Sequence, residues 1–172
     1  MDASGRLDRR GLRLLGFPVT VNNGFWLFLL IVFAIDPGPD GLVLAVALAV
    51  FTIIHELGHA LVARRLGAEA SIALGFMVGY TAYAPRRPLG TAARMALSAA
   101  GPVAHIAVGW LCLLPWAQHP LDLDPIAASG AATAIWWAGA VIGAANLIPV
   151  WPLDGGHLLS AALQPVFGPS TP

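Results

Sequence analysis

The chain has 172 residues, of which 58% are hydrophobic and only 10% charged, and its formal net charge is zero. Soluble domains carry roughly 25% charged residues, so this chain lacks the polar surface to coat a water-soluble globule, and disorder, collagen-like structure and nucleic-acid binding are excluded with it. A single cysteine, Cys112, excludes a disulfide framework and a thiolate zinc cluster.

A helix that crosses a bilayer core of roughly 30 Å needs about 20 mostly apolar residues at 1.5 Å each. The first candidate in chain order, Val19 to Ile35, is short and contains Asn22 and Asn23 near its start, so it spans only with help from its flanks or neighbours. A cleavable signal peptide ending at Val32-Phe33-Ala34 is the alternative for this segment, and a retained helix is preferred. Gly41 to Ala63 is interrupted by ionisable groups only at His55, Glu56 and His59. Ala68 to Ala84, with its aromatic and β-branched residues around Gly75 and Gly79, reads as short strands about a turn. It is too short to span as a helix and too apolar for an ordinary loop, so it is placed dipping into the membrane. Met95 to Ala117 is broken by Gly101, Pro102 and His105, and Ile126 to Val150 has Asn146 as its most polar side chain. The tail from Gly168 is expected to fray.

The chain has no lysine, and its nine basic residues are Arg6, Arg9, Arg10, Arg13, Arg64, Arg65, Arg86, Arg87 and Arg94. If all four apolar segments span, every arginine falls on one side, while Asp36, Asp40, Asp122 and Asp124 fall on the other. The positive-inside rule then makes both termini cytoplasmic in a multi-pass cell-membrane protein.

His55-Glu56-Leu57-Gly58-His59 is an H-E-x-x-H pattern inside an apolar span. On a helix the two histidines lie one turn apart on one face and can share one Zn²⁺ at about 2.0–2.1 Å. Glu56 stands about 100° round the helix, free of the ligand set but near the attacking water, where it can serve as base and then as acid. Gly58 adds no bulk beside the site. Chance pairing of the histidines with other helices is the bland reading. It is weak here, because three ionisable groups in a membrane helix cost about a few kcal/mol each unless function retains them. Counted from Arg64, His55 lies roughly 13 Å along the helix axis, which puts the metal inside the membrane and nearer the cytoplasm.

A catalytic zinc takes a third protein ligand and keeps one position open. The candidates are His105, His157 and Asp154, of which Asp154 is the strongest. It ends the run from Asn146 to His157, where Pro149, Pro152, Gly155 and Gly156 break the last span and open a cavity at membrane depth. Its competing role is to cap the short helix that follows. Asn146 can donate to a substrate carbonyl or oxyanion, or else bond between helices. His105, one turn beyond Gly101-Pro102, is better read as an interhelical hydrogen-bonding group than as a ligand. His119 and His157 are given no role.

These residues resemble the site-2 protease family of intramembrane zinc metalloproteases. The likeness rests on His55 through His59 on one helix and on Asn146 through Gly156 ending a later one, with the asparagine eight positions before Asp154. Ser98-Ala99-Ala100-Gly101-Pro102 and the opening Gly16-Phe17-Pro18-Val19 are also similar to family motifs, in the manner of a compact bacterial-type member without PDZ or CBS domains. The resemblance implies that His55, His59 and Asp154 hold one zinc per chain, that Glu56 is the general acid/base, and that Asn146 contacts substrate or oxyanion. It also implies that residues 68–84 form membrane-embedded β-structure whose edge accepts an unwound substrate strand. Two departures stand out. His105 occupies a position that is often asparagine, and the chain stops soon after Gly156, so gating is expected from the first helix, the β region or another subunit.

The expected architecture is an all-α polytopic membrane protein, one domain over 1–172. Four helices span near 19–35, 41–63, 95–117 and 126–150, with a β-hairpin-like region at 68–84. The expected activity is zinc-dependent hydrolysis of a peptide bond in or near the transmembrane segment of a single-span membrane protein. Its partners are that substrate and the lipid bilayer, with a homo-oligomer left open. The rivals are an inactive relative that binds membrane helices, disfavoured by the intact Glu56, and a metal transporter, disfavoured by the apolar outer halves Leu42 to Phe51 and Ile106 to Leu114.

Overall fold

The structure is a computed structural model that describes residues 12–119 and 121–168. Expectations that rest on Arg6, Arg9 and Arg10, or on the tail past Gly168, lie outside the described residues. The chain is mostly helical. In order it forms β1 (Arg13–Leu14), β2 (Phe17–Val21), α1 (Asn23–Ile35), α2 (Pro39–Arg65), β3 (Glu69–Leu74), β4 (Gly79–Ala84) and α3 (Thr91–Leu113). There follow α4 (Leu123–Ala127), α5 (Gly130–Ile135), a π-helical turn (Trp136–Val141), α6 (Ile142–Ala145) and α7 (Asp154–Phe167). The π turn joins α5 and α6 into one rod.

The ends of α2 follow from its sequence. Pro39 opens it, where a missing N–H removes nothing, and Asp40 in the first turn with Arg64 and Arg65 in the last complement the helix dipole. α3 packs antiparallel to α2, since His59 meets Leu97 while His55 meets the later His105. A side chain at Gly58 would strike the Ala100 carbonyl, so this glycine admits α3 to close range; its small size serves the helix contact.

The strands make one mixed sheet in the order β1-β2-β3-β4, with the central β2–β3 pair parallel and the outer pairs antiparallel. Along β3, Ala70, Ile72 and Leu74 turn inward and pack with Phe17, Val19 and Phe25 on Ala60 and Ala63 of α2. The period-two alternation thus docks the sheet on the half of α2 that carries the histidines. Arg64 secures the same end, donating to the Leu15 carbonyl at 3.0 Å and lying over the Phe17 ring.

Much of the helix surface is apolar, and the ionisable residues of the helix interior are buried. Trp26, Leu30, Leu42, Val46, Val50 and Leu111 are exposed, whereas His55, Glu56 and His105 are each under 10% exposed. Such an inversion suits a hydrocarbon surrounding.

Among the described residues two helices, α2 and α3, are long and apolar enough to cross a membrane, two of the four spans expected. α2 extends the expected 41–63 at both ends, and α3 begins and ends four residues before the expected 95–117. Residues 19–21 belong to the sheet, so α1 keeps 13 residues, about 20 Å of helix. The stretch 126–150 is split: α4 ends at Ala127, the rod runs over 130–145, and the chain then leaves helical geometry until Asp154. The expected 68–84 hairpin is present as β3 and β4, and β1 and β2 join it as strands that hydropathy does not reveal. The all-α description therefore becomes a mostly helical one with a small mixed sheet.

Candidate metal centre and active site

His55 and His59 lie one turn apart on α2, and Asp154 reaches them from the first turn of α7. His55 Nε2 is 2.9 Å from Asp154 Oδ2, His59 Nε2 is 3.3 Å from Asp154 Oδ1, and the two Nε2 atoms are 3.1 Å apart. Four ligands placed tetrahedrally at about 2.0–2.1 Å stand roughly 3.3 Å from one another. Two imidazole nitrogens at that spacing, each with one oxygen of the same carboxylate against it, suit a zinc ion with one position open. Among the described residues this is the group of His, Cys, Asp and Glu side chains that could hold a metal. His105 and His157, the other candidates for a third ligand, do not join it.

The ring of His59 is oriented by backbone. Its Nδ1–H donates to the Leu97 carbonyl at 2.8 Å, which leaves the Nε2 lone pair facing the cluster in the neutral ring. Gly101 makes room for that ring, since a Cβ there would collide with His59 Nε2. Asp154 is delivered by the irregular run before it. The Asn146 carbonyl accepts from Gly155 N–H at 2.7 Å, and a Cβ at Gly155 would strike the carbonyls of Leu147 and Ile148. Leu153, not Asp154, occupies the cap position of α7, and no side-chain cap bond forms there. The carboxylate faces the histidines and does not cap α7.

Glu56 is 4% exposed, and its carboxylate meets β4. The Thr81 hydroxyl lies 2.7 Å from Glu56 Oε2 and 3.0 Å from the Glu56 backbone carbonyl. Gly79, two residues earlier on the same face of β4, lies so close that a Cβ there would stand 2.7 Å from Oε1. Thr81 is a partner of Glu56 that the sequence does not point to. A lone threonine in a short strand has no signature, and its partner is set by how β4 docks on α2.

Asn146 sits where the rod ends, and its Nδ2 donates to the Ile142 carbonyl of its own last turn at 3.0 Å. Of its two amide hydrogens, one remains for another acceptor. His105, 3% exposed, makes the interhelical bond expected of it, from Nε2 to the Ala138 carbonyl at 2.6 Å. His119 sits in a surface turn with Asp122, and His157 lies against Trp151.

Residues 122–172 match the profile of Peptidase family M50. A zinc metalloprotease of Methanocaldococcus jannaschii is 26% identical over 162 residues, which are 92% of this chain and 46% of that protein. Rip3 of Mycobacterium tuberculosis, named as a putative zinc metalloprotease, is 34% identical over 128 residues, which are 69% of this chain and 30% of Rip3. The chain spans less than half the length of these relatives. A solved structure, the site-2 protease from Methanocaldococcus jannaschii, superposes with a TM-score of 0.67 at 25% identity, covering 91% of this chain and 72% of that one. The fold and the sequence agree: this chain belongs to the site-2 protease family, Peptidase family M50, a family of zinc metalloproteases.

Proposed function

We propose that the chain is an intramembrane protease that hydrolyses a peptide bond in or near the transmembrane segment of single-span membrane proteins. His55, His59 and Asp154 hold its zinc, and Glu56 moves the proton. The observation that supports this reading most is the meeting of the two imidazole Nε2 atoms of α2 with the Asp154 carboxylate of α7 at 2.9–3.3 Å, next in sequence to a buried glutamate.

A bound zinc supplies a Lewis acid that makes water nucleophilic near neutral pH. Glu56 would accept a proton from the attacking water as the new C–O bond forms, and return it to the amine nitrogen as the tetrahedral species collapses and the C–N bond breaks. The Thr81 hydroxyl donates to Oε2, holds the carboxylate in one rotamer and leaves Oε1 for the proton. Asn146 offers its second amide hydrogen to the carbonyl oxygen as charge develops there.

A helical peptide bond is shielded by its own hydrogen bonds, so the substrate must unwind before attack. β4 has one strand neighbour, β3, among the described residues. Its other edge can take an extended substrate strand beside Glu56, backbone to backbone. The described arginines, Arg13, Arg64, Arg65, Arg86, Arg87 and Arg94, lie in or next to the sheet or at the helix ends that adjoin it. This favours a multi-pass arrangement with the sheet end and both termini cytoplasmic, so that cleavage after removal of a substrate's outer domain releases a cytoplasmic factor.

The test is cleavage of a labelled single-span protein in liposomes that hold the purified chain. Chelation should stop it and added zinc should restore it. Cleavage that persists through complete zinc removal would overturn the assignment.

A further inference from the structure

Two histidines face the cluster, and their rings are held in different ways. His59 is anchored directly on a backbone carbonyl, that of Leu97. His55 has another imidazole behind it. Its Nδ1 is 3.4 Å from Nδ1 of His105, with the two rings nearly perpendicular at 85°. His105 in turn places Nε2 against the Ala138 carbonyl at 2.6 Å and stacks on Phe51 with an interplanar angle of 2°.

The direction of the hydrogen bonds along this series follows from its far end. A carbonyl only accepts, so His105 Nε2 carries the proton. In the neutral ring the His105 Nδ1 lone pair is then the acceptor, His55 Nδ1 must carry a hydrogen, and the His55 Nε2 lone pair faces Asp154 and His59. Any other assignment either leaves the Ala138 carbonyl facing a lone pair or puts a proton where the metal belongs. Ala138 lies in the π turn, which α3 approaches closely because Gly109 and Gly139 face each other; a Cβ on either would come within 3 Å of the other's backbone.

We propose that His105 is a positioning residue that fixes the tautomer and ring orientation of His55, and through it zinc affinity, by relaying the Ala138 carbonyl to His55 Nδ1. The inference rests on the metal site assigned above and adds a dependence of that site on the π turn of a third helix. The sequence shows only that His105 would bond between helices; its second nitrogen carries the consequence.

The experiment uses the full purified chain in detergent. His105→Phe keeps the ring stack on Phe51 and removes both nitrogens, and His105→Asn restores an acceptor near the position of Nδ1. Zinc dissociation constants come from competition with a chromophoric chelator, and histidine tautomers from long-range ¹⁵N–¹H spectra of the zinc-loaded protein. The expected result is a His105 held as the Nε2–H tautomer in the wild type, its Nδ1 accepting from His55 Nδ1–H. His105→Phe should weaken zinc by about 10- to 100-fold and speed exchange of the His55 Nδ1–H with solvent, and His105→Asn should recover part of both. Zinc affinity unchanged in His105→Phe would overturn the proposal. So would a wild-type His105 protonated on Nδ1, a readout that stands even if the Phe variant does not fold. Should His59→Ala leave zinc binding intact, the metal-site assignment itself fails, while the His105 tautomer still decides the direction of its bond to His55.

Discussion

Asp154 Oδ2 lies 2.9 Å from His55 Nε2, although one residue begins α7 and the other sits in the middle of α2. The contact depends on the chain leaving helical geometry after Ala145 and restarting at Asp154, where the N-terminal end of the new helix favours a carboxylate. Asp154→Ala should therefore remove a ligand without unmaking α7, since that helix draws no cap from this side chain. Zinc affinity should fall by more than roughly 100-fold, beyond the loss typical of an outer partner, so that the variant no longer keeps its zinc through dialysis. Metal analysis of the purified variant beside His55→Ala and His59→Ala checks this, and all three should lose zinc alike.

Thr81 ties Glu56 to β4, the strand whose outer edge is proposed to take the substrate. Hydrogen bonds to charged groups contribute about 1.5–3 kcal/mol, so Thr81→Val should lower kcat by roughly 10- to 100-fold with zinc content unchanged. Thr81→Ser, which restores the hydroxyl, should recover most of the rate. Steady-state cleavage of a reconstituted substrate, with parallel metal analysis, reads both effects.

Gly101 faces the His59 ring so closely that any side chain would displace it. Gly101→Ala should weaken zinc binding and destabilise the fold by about 1–3 kcal/mol, as overpacking does. Gly90→Ala is the control and should keep zinc, because a Cβ at that position would meet no atom within 4 Å. Zinc titration and thermal unfolding of the two variants give the comparison.

The proposed orientation rests on the arginine distribution. In a Cys112→Ala background, Arg86→Cys should resist a membrane-impermeant maleimide added outside intact cells, and Asp122→Cys should react with it. The reverse labelling would turn the protein over in the membrane and place the sheet outside.

Much of the site was legible in the sequence because ionisable residues stand out in an oily chain. His55, Glu56 and His59 identify themselves by spacing within one helix, and Asp154 by the prolines and glycines around it. What depends on approach between distant elements was not legible. Thr81 meets Glu56 only because β3 and β4 pair in register and dock on α2. His105 meets His55 only because small residues let α3 close on α2 and on the π turn. Hydropathy also blurs the boundaries. Val19 and Val21 are as apolar in a strand as in a helix, so β2 reads as the head of α1. The run from Ile126 to Val150 stays apolar through breaks that the backbone makes before Gly130 and after Ala145.

On the proposed reading Glu56, buried and held by Thr81, carries the chemistry. Glu56→Gln keeps the shape and removes the ability to take a proton. Reconstituted with a single-span substrate, this variant should bind about one zinc per chain as the wild type does, while cleavage falls by at least about 100-fold, in keeping with the loss of a general base. Zinc binding with cleavage at the wild-type rate would contradict it.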